Sequence, residues 1–118
     1  YTSWPLMNGS YFPNDSNLED LLTINIFERP SLAQFVHRNF AYLIFFVFLL
    51  FFVTIFNNKN YKNFRSVILV IFILLILQIL LGILTVTTSA NIYLASLHQI
   101  SSIFLISASV IFVFKNNN

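Results

Sequence analysis

The sequence contains no cysteine, which excludes a disulfide framework and any thiolate metal site. Charged residues are also scarce, at 8% of the 118 residues, whereas a typical soluble domain has roughly 25%. Hydrophobic residues make up 58% of the chain. There is no glycine-rich phosphate loop and no basic stripe, so nucleic acid is not an expected partner. The composition argues against a soluble protein and favours one whose main partner is the lipid bilayer.

The few charges leave two long uncharged stretches. Residues 39–58 and residues 66–114 contain no Asp, Glu, Lys or Arg. A helix needs about 20 apolar residues to span a bilayer, so the second stretch is long enough to cross twice and must reverse at the polar residues 87–91. The pattern predicts an all-α integral membrane protein with three transmembrane helices, at about 32–56, 64–87 and 92–114.

The distribution of charge predicts the orientation in the membrane. Basic side chains in short loops mark the cytoplasmic or matrix side, and here they lie in residues 57–65 and in the C-terminal tail. All four acidic residues lie in the first 31 residues. We therefore expect residues 1–31 to form an outer loop and residues 32–118 to form a transmembrane bundle whose C-terminus lies inside.

The outer loop has features of its own. Ser16 and Glu19 have the spacing of a capping box, and the apolar residues that follow have helical spacing, which predicts a short amphipathic helix. These apolar residues are Leu18, Leu21, Leu22 and Ile26. The aromatic residues nearer the N-terminus are of the kind that lies at a membrane interface, namely Trp4, Tyr11 and Phe12.

Two histidines lie at matching depth in the predicted spans. His37 is about five residues into the first helix and His98 about six into the third, which puts both roughly 8 to 10 Å below the outer end. Both helices run inward, so the two imidazoles can face each other and bind one haem iron from opposite sides. A hydrogen-bonded or proton-relay pair is the other interpretation. A zinc site needs about four ligands, and the spans offer only these two histidines.

Neighbouring residues fit a bulky planar ligand. Small side chains share a helical face with each histidine, namely Ala41, Ala95 and Ser102. On the middle helix, one face carries Gln78, Gly82 and Thr85. The glycine permits close approach, and the polar pair prefers the bundle interior to lipid. We expect that face to point at the pocket between the two histidines.

Arg38, next to His37, has two interpretations. Its guanidinium fork is well shaped to pair with haem propionates. Alternatively, the side chain extends to the lipid headgroups. The sequence alone leaves both open.

Several segments together resemble the haem A synthase (CtaA/Cox15) family. Thr2–Gly9 is similar to that family's outer-loop TWPLM-x-G motif, and further matching segments follow in the same order. These are Phe27–Pro30, Gln34–Arg38, Gln78–Thr85 and His98–Gln99. The order and spacing extend through nearly the whole chain, which resembles the C-terminal half of the family's proteins.

The resemblance implies an eight-helix protein made of two four-helix halves, in a bacterial cell membrane or a mitochondrial inner membrane. Such a protein oxidises a methyl group of haem O to a formyl group, giving haem A for terminal oxidases. Its C-terminal half carries haem b, and the residues in the place of its iron ligands are His37 and His98. The substrate site belongs to the N-terminal half, so no catalytic residue is expected in this chain.

By the resemblance, this chain is an incomplete half of an antiparallel four-helix haem-binding bundle. Its expected partners are the N-terminal half, the haem O substrate and, as an open possibility, further copies of itself. Without the substrate site, the chain is expected to be inactive alone. Either the sequence is truncated or a natural partner supplies the rest, and the absence of an initiator Met before Tyr1 favours truncation. Two other functions stay open: a small b-type cytochrome for electron transfer, and a haem-free accessory subunit.

Overall fold

The computed structural model describes residues 1–23 and 28–117. It contains three long helices: α1 (Pro30–Asn57), α2 (Arg65–Thr87) and α3 (Ile92–Asn117). All three are long and apolar enough to cross a membrane, and the described ranges contain no β-strand. The prediction of an all-α chain with three transmembrane helices is confirmed.

The ends of the helices follow from local chemistry. Pro30 occupies the first turn of α1, where a missing N–H costs nothing and the fixed φ angle suits a helix. The turn between α1 and α2 is a 3₁₀ helix, Lys59–Phe64, which begins where the Asn58 side chain accepts a hydrogen bond from the Asn60 N–H at 2.9 Å. At its far end, Arg65 donates to the Phe56 carbonyl at 3.2 Å and so links the two helices.

The turn between α2 and α3 is shorter and lies at the other end of the bundle. Ser89 and Ala90 have φ angles of 58° and 61°, which is the left-handed conformation that often follows a helix. The Asn91 side chain then accepts a hydrogen bond from the Tyr93 N–H at 3.0 Å, which caps the start of α3. The uncharged stretch therefore reverses at the polar residues, as its length requires.

Helix α2 lies at the centre of the packing. It packs closely along α3 and less extensively along α1, while α1 and α3 make at most sparse backbone contact within the described ranges. The buried apolar residues of α2 lie along one stripe, namely Ile68, Ile71 and Leu75. Most large apolar side chains on the remaining faces are exposed, as suits helices surrounded by lipid. A gap consequently remains between α1 and α3.

The short helix of the outer loop differs from the prediction. It is a 3₁₀ helix, Leu18–Leu22, and it begins one residue later than expected, with Asn17 at the N-cap. The Asn17 N–H bonds to the Asp20 carboxylate at 3.0 Å, whereas the Ser16 hydroxyl donates to Asp15 at 3.2 Å. The predicted capping box of Ser16 and Glu19 is therefore wrong, because Ser16 is already engaged. Ile26 lies outside the described residues.

The start of the chain folds back over the outer end of α1. Met7 and Ser10 exchange backbone hydrogen bonds of 2.7 and 3.2 Å around Asn8 and Gly9, which both have positive φ angles. Such a turn is typical of an Asn-Gly pair. Phe12 packs edge-on against Phe35 of α1, with ring centres 5.0 Å apart. The outer segment is thus attached to the helix that carries His37.

Candidate functional site

The two histidines face each other across the gap between α1 and α3. His37 is the eighth residue of α1 and His98 the seventh of α3, so both lie about two turns from the outer helix ends. Their ring centres are 6.4 Å apart and the ring planes are nearly perpendicular, at 83°. The structure therefore brings together the two residues that the sequence placed at one depth.

A cavity of about 400 Å³ opens beside these rings. Its volume lies within the usual range for small-molecule and cofactor sites, about 300 to 1,000 Å³. Apolar side chains line most of it, with a small number of polar groups between them. The polar and aromatic lining residues are Trp4, Gln34, His37, Arg38, Phe40, Tyr42, Gln78, Thr85 and His98.

The face of α2 turned toward the cavity holds His98 in place. Gln78, Gly82 and Thr85 all line the cavity, as their shared face predicts. The amide nitrogen of Gln78 lies 3.4 Å from Nε2 of His98. Among the described residues, the buried Nδ1 of His98 and the buried Oε1 of Gln78 have no hydrogen-bond partner. Unsatisfied polar atoms at a cavity wall are available to a ligand.

Of the small residues, Ala41 lines the cavity, whereas Ala95 and Ser102 lie outside its lining. The sequence pattern placed Ala95 and Ser102 on the same helical face as His98. The backbone of Gly82 on α2 lies directly beside the His98 ring, where an added Cβ atom would be 3.1 Å from Cε1.

Arg38 is buried, with 8% of its surface exposed. One guanidinium nitrogen, Nη2, donates to the backbone carbonyl of Ser3 at 2.7 Å. Its Nε and Nη1 are buried and have no partner within residues 1–23 and 28–117. A buried cation with unpartnered donors is costly unless an anion completes it. Because Arg38 also lines the cavity, it is available to a negatively charged ligand there.

Sequence reasoning missed that Trp4 belongs to the site. It assigned this residue only to the membrane interface, but the side chain lines the cavity that holds both histidines. The available signal was the Asn8-Gly9 pair, which predicts a tight turn and hence a compact outer segment. Within the described residues, no three His, Asp or Glu side chains are grouped as metal ligands, so the site offers a metal two imidazole nitrogens.

All these residues lie within a stretch that matches a known family. The family profile described as "Cytochrome oxidase assembly protein", COX15-CtaA, matches residues 1–110. The chain belongs to the COX15-CtaA family. With its three apolar helices, this member of the family is a multi-pass membrane protein.

Individual relatives agree with the family assignment. The chain is 41% identical over 118 residues to the heme A synthase of Pelagibacter ubique, a match that covers all of this chain and 34% of the relative. It is 36% identical over 110 residues to the heme A synthase of Agrobacterium fabrum, covering 93% of this chain and 30% of the relative. The chain thus spans about a third of the length of these relatives. No solved structure matches.

Proposed function

We propose that this chain is part of a haem A synthase and that it holds a haem b through His37 and His98. The whole protein would oxidise a methyl group of haem O to a formyl group, which is the step of haem A biosynthesis that the relatives' name implies. The observation that carries the proposal is the 6.4 Å separation of two imidazole rings beside one cavity.

The separation fits a single metal between the rings. An imidazole nitrogen binds a metal at about 2.0 to 2.1 Å and lies about 1.2 Å from its ring centre, so two rings on one metal have centres at most about 6.4 to 6.6 Å apart. The observed centres are 6.4 Å apart. The donor set agrees as well, because imidazole is a common axial ligand of haem iron.

Arg38 favours the ligand interpretation over the headgroup interpretation. A side chain that extends to headgroups keeps its charged end in the polar interface, whereas Arg38 is buried and directed at the cavity and at Ser3. The two unpartnered guanidinium nitrogens can donate to a haem propionate in a charge-assisted pair. In this proposal Arg38 fixes the end of the haem that faces the outer surface.

When bound, haem b supplies one-electron redox chemistry. His37 and His98 would both hold the haem iron, so this site would keep the cofactor rather than react with haem O. The role of this chain is then to bind and orient haem b and to shield it with apolar side chains. In this proposal the N-terminal half oxidises the methyl group of haem O. That half completes an eight-helix protein and is the main partner of this chain. A homo-oligomer is compatible with this arrangement.

The orientation proposed for the membrane follows from the basic loop. Residues 1–31 and the histidine ends of the helices lie on the outer side, and Lys59, Lys62 and Arg65 lie on the cytoplasmic or matrix side. Single cysteines at Ser10 and at Asn60, in a chain that has none of its own, test this orientation. A membrane-impermeant maleimide should label only the first in intact cells, and the reverse pattern would contradict the proposal.

The test of the function uses the full-length protein expressed in cells that lack their own haem A synthase. We expect His37→Ala and His98→Ala each to remove the b-type absorption that this part of the protein contributes. Tyr93→Ala, on the exposed outer end of α3, is the matched control and should keep it. Unchanged haem content in both histidine variants would overturn the ligand assignment. Absence of haem A in cells with the wild-type protein and abundant haem O would overturn the synthase assignment.

A further inference from the structure

The outer segment supplies the cavity with an aromatic wall. Trp4 lines the cavity together with His37 and Arg38, although it comes from the start of the chain and not from a helix. Trp4 is 41% exposed, so the protein does not enclose it and it lies at an open edge of the cavity. Trp4 is therefore positioned at the outer mouth of the cavity.

The position of Trp4 is fixed by hydrogen bonds on both sides of it. The Ser3 hydroxyl donates to the Leu6 carbonyl at 2.6 Å and accepts from the Asn8 N–H at 2.8 Å, which closes a tight turn around Trp4. Met7, directly after this turn, is 1% exposed and anchors the segment. The segment is thus folded in a way that presents the indole to the cavity.

Arg38 joins this segment to the interior of the site. Its Nη2 holds the Ser3 carbonyl, next to Trp4, at 2.7 Å. Its other two donors are buried and unpartnered in the described part of the chain, beside the same cavity. A guanidinium can donate in several directions at once because its five N–H groups lie in a fixed plane. One side chain can therefore hold the outer segment and an anionic group of the ligand simultaneously.

We propose that Trp4 is a ligand-contact residue and that Arg38 couples the closing of the outer segment, residues 3–10, to the carboxylates of the ligand. The inference rests on the proposed function, because the ligand is taken to be haem b. Binding of the carboxylates orients the guanidinium, which strengthens its bond to Ser3 and keeps the indole over the mouth of the cavity. The outer segment is then part of the haem site and not only a membrane-interface loop.

The first experiment measures how fast haem b leaves the full-length protein, by its transfer to apomyoglobin. We expect Trp4→Ala to speed the loss about 5- to 10-fold, as removal of an aromatic contact does, and Trp4→Phe to speed it less. Leu6→Ala is the matched control, since Leu6 is exposed on the same segment and does not line the cavity, and should match the wild type. The Soret maximum should not move, because Trp4 is not an iron ligand.

The second experiment tests the coupling by altering the ligand, with a variant of Arg38 as a check. Backbone hydrogen exchange of residues 3–10 is compared in the wild type without haem, with haem b, and with haem b dimethyl ester, which lacks the carboxylates. We expect haem b to slow exchange several-fold and the ester to leave it close to the haem-free rate. The variant Arg38→Lys should lose the difference between the two haems.

The outcomes separate this inference from the function on which it rests. If the wild-type protein binds no haem between His37 and His98, both the proposed function and this inference fail. If haem is bound but leaves Trp4→Ala and the wild type at equal rates, the contact role of Trp4 is wrong. If haem b and its ester slow exchange equally, the coupling through Arg38 is wrong while the haem site stands.

Discussion

The imidazole of His98 lies directly against the backbone of Gly82, so that a Cβ atom added to this glycine would be 3.1 Å from Cε1 of the ring. Real side chains rarely approach so closely, and the ring would have to move by a few tenths of an ångström. Gly82 thus makes room for the histidine of the adjacent helix. The sequence predicted close approach at this glycine, and the group that approaches is the imidazole.

Enlarging residue 82 should therefore disturb His98 in proportion to its size. We expect Gly82→Ala to keep haem but to change the orientation of the axial ring, visible in the low-spin electron paramagnetic resonance spectrum. Gly82→Val should lose most of the haem, because overpacking a tight site costs about 1 to 3 kcal/mol. Leu80→Val, at a position on α2 that is 53% exposed, is the control. Full haem content in Gly82→Val would show that the ring does not depend on this space.

Gln78 should compete with a metal for His98. Its amide nitrogen lies 3.4 Å from Nε2 of the ring, one of the two nitrogens through which His98 can bind a metal. If haem binds through Nε2, this contact has to break first, which lowers the apparent affinity. We expect Gln78→Leu to raise the affinity for haem b about 2- to 10-fold, which corresponds to the net value of one hydrogen bond, about 0.5 to 1.5 kcal/mol.

The measurement for Gln78 is a haem titration of the apoprotein followed by the Soret band. Gln78→Glu is the informative companion, since a carboxylate accepts a hydrogen bond from the ring and should hold it more firmly. A loss of affinity in Gln78→Leu would instead mean that the amide supports the ring in the bound state.

Asp15, outside the membrane, should titrate below the usual range of an aspartate. A hydrogen bond from Ser31 is the main cause that lowers the pKa of its carboxyl, and partial desolvation opposes it. A carboxyl whose pKa is lowered by folding stabilises the fold above its unfolded pKa, about 3.9, and loses this contribution as the pH falls through the folded value.

The Ser31→Ala variant should return the pKa of Asp15 toward its ordinary value. The carboxyl ¹³C shift of labelled aspartate, followed against pH in micelles, measures this directly. Ser10→Ala, elsewhere in the outer segment, should leave the titration unchanged. If Asp15 titrates at the same pH in the wild type and in Ser31→Ala, the proposed hydrogen bond does not control it.

The parts of the fold that could be predicted from the sequence are those that depend on the order and spacing of residues along the chain. Charge-free stretches longer than the bilayer is thick require helices, and the residues 87–91 are the polar place where the long stretch can reverse. The same counting put His37 and His98 at one depth. The 6.4 Å distance between their ring centres depends on how α2 separates α1 from α3, which counting residues cannot give.

The parts that sequence reasoning missed depend on contacts between distant segments. Trp4 reaches the cavity because Arg38 bonds to Ser3 and because Phe12 packs on Phe35, and these pairs are some twenty to thirty-five residues apart. The short 3₁₀ helix begins one residue later than predicted for a local reason. The hydrogen bond from Ser16 to Asp15 competes with capping by Ser16.

Because α1 and α3 scarcely contact each other in the described part of the chain, their relative position depends on α2 and on whatever lies between the histidines. A group bound to both imidazoles would serve as a crosslink between segments far apart in the sequence. Like other metal sites, it would then contribute its binding free energy to folding. Cofactor supply would then influence how much of this protein accumulates in the cell.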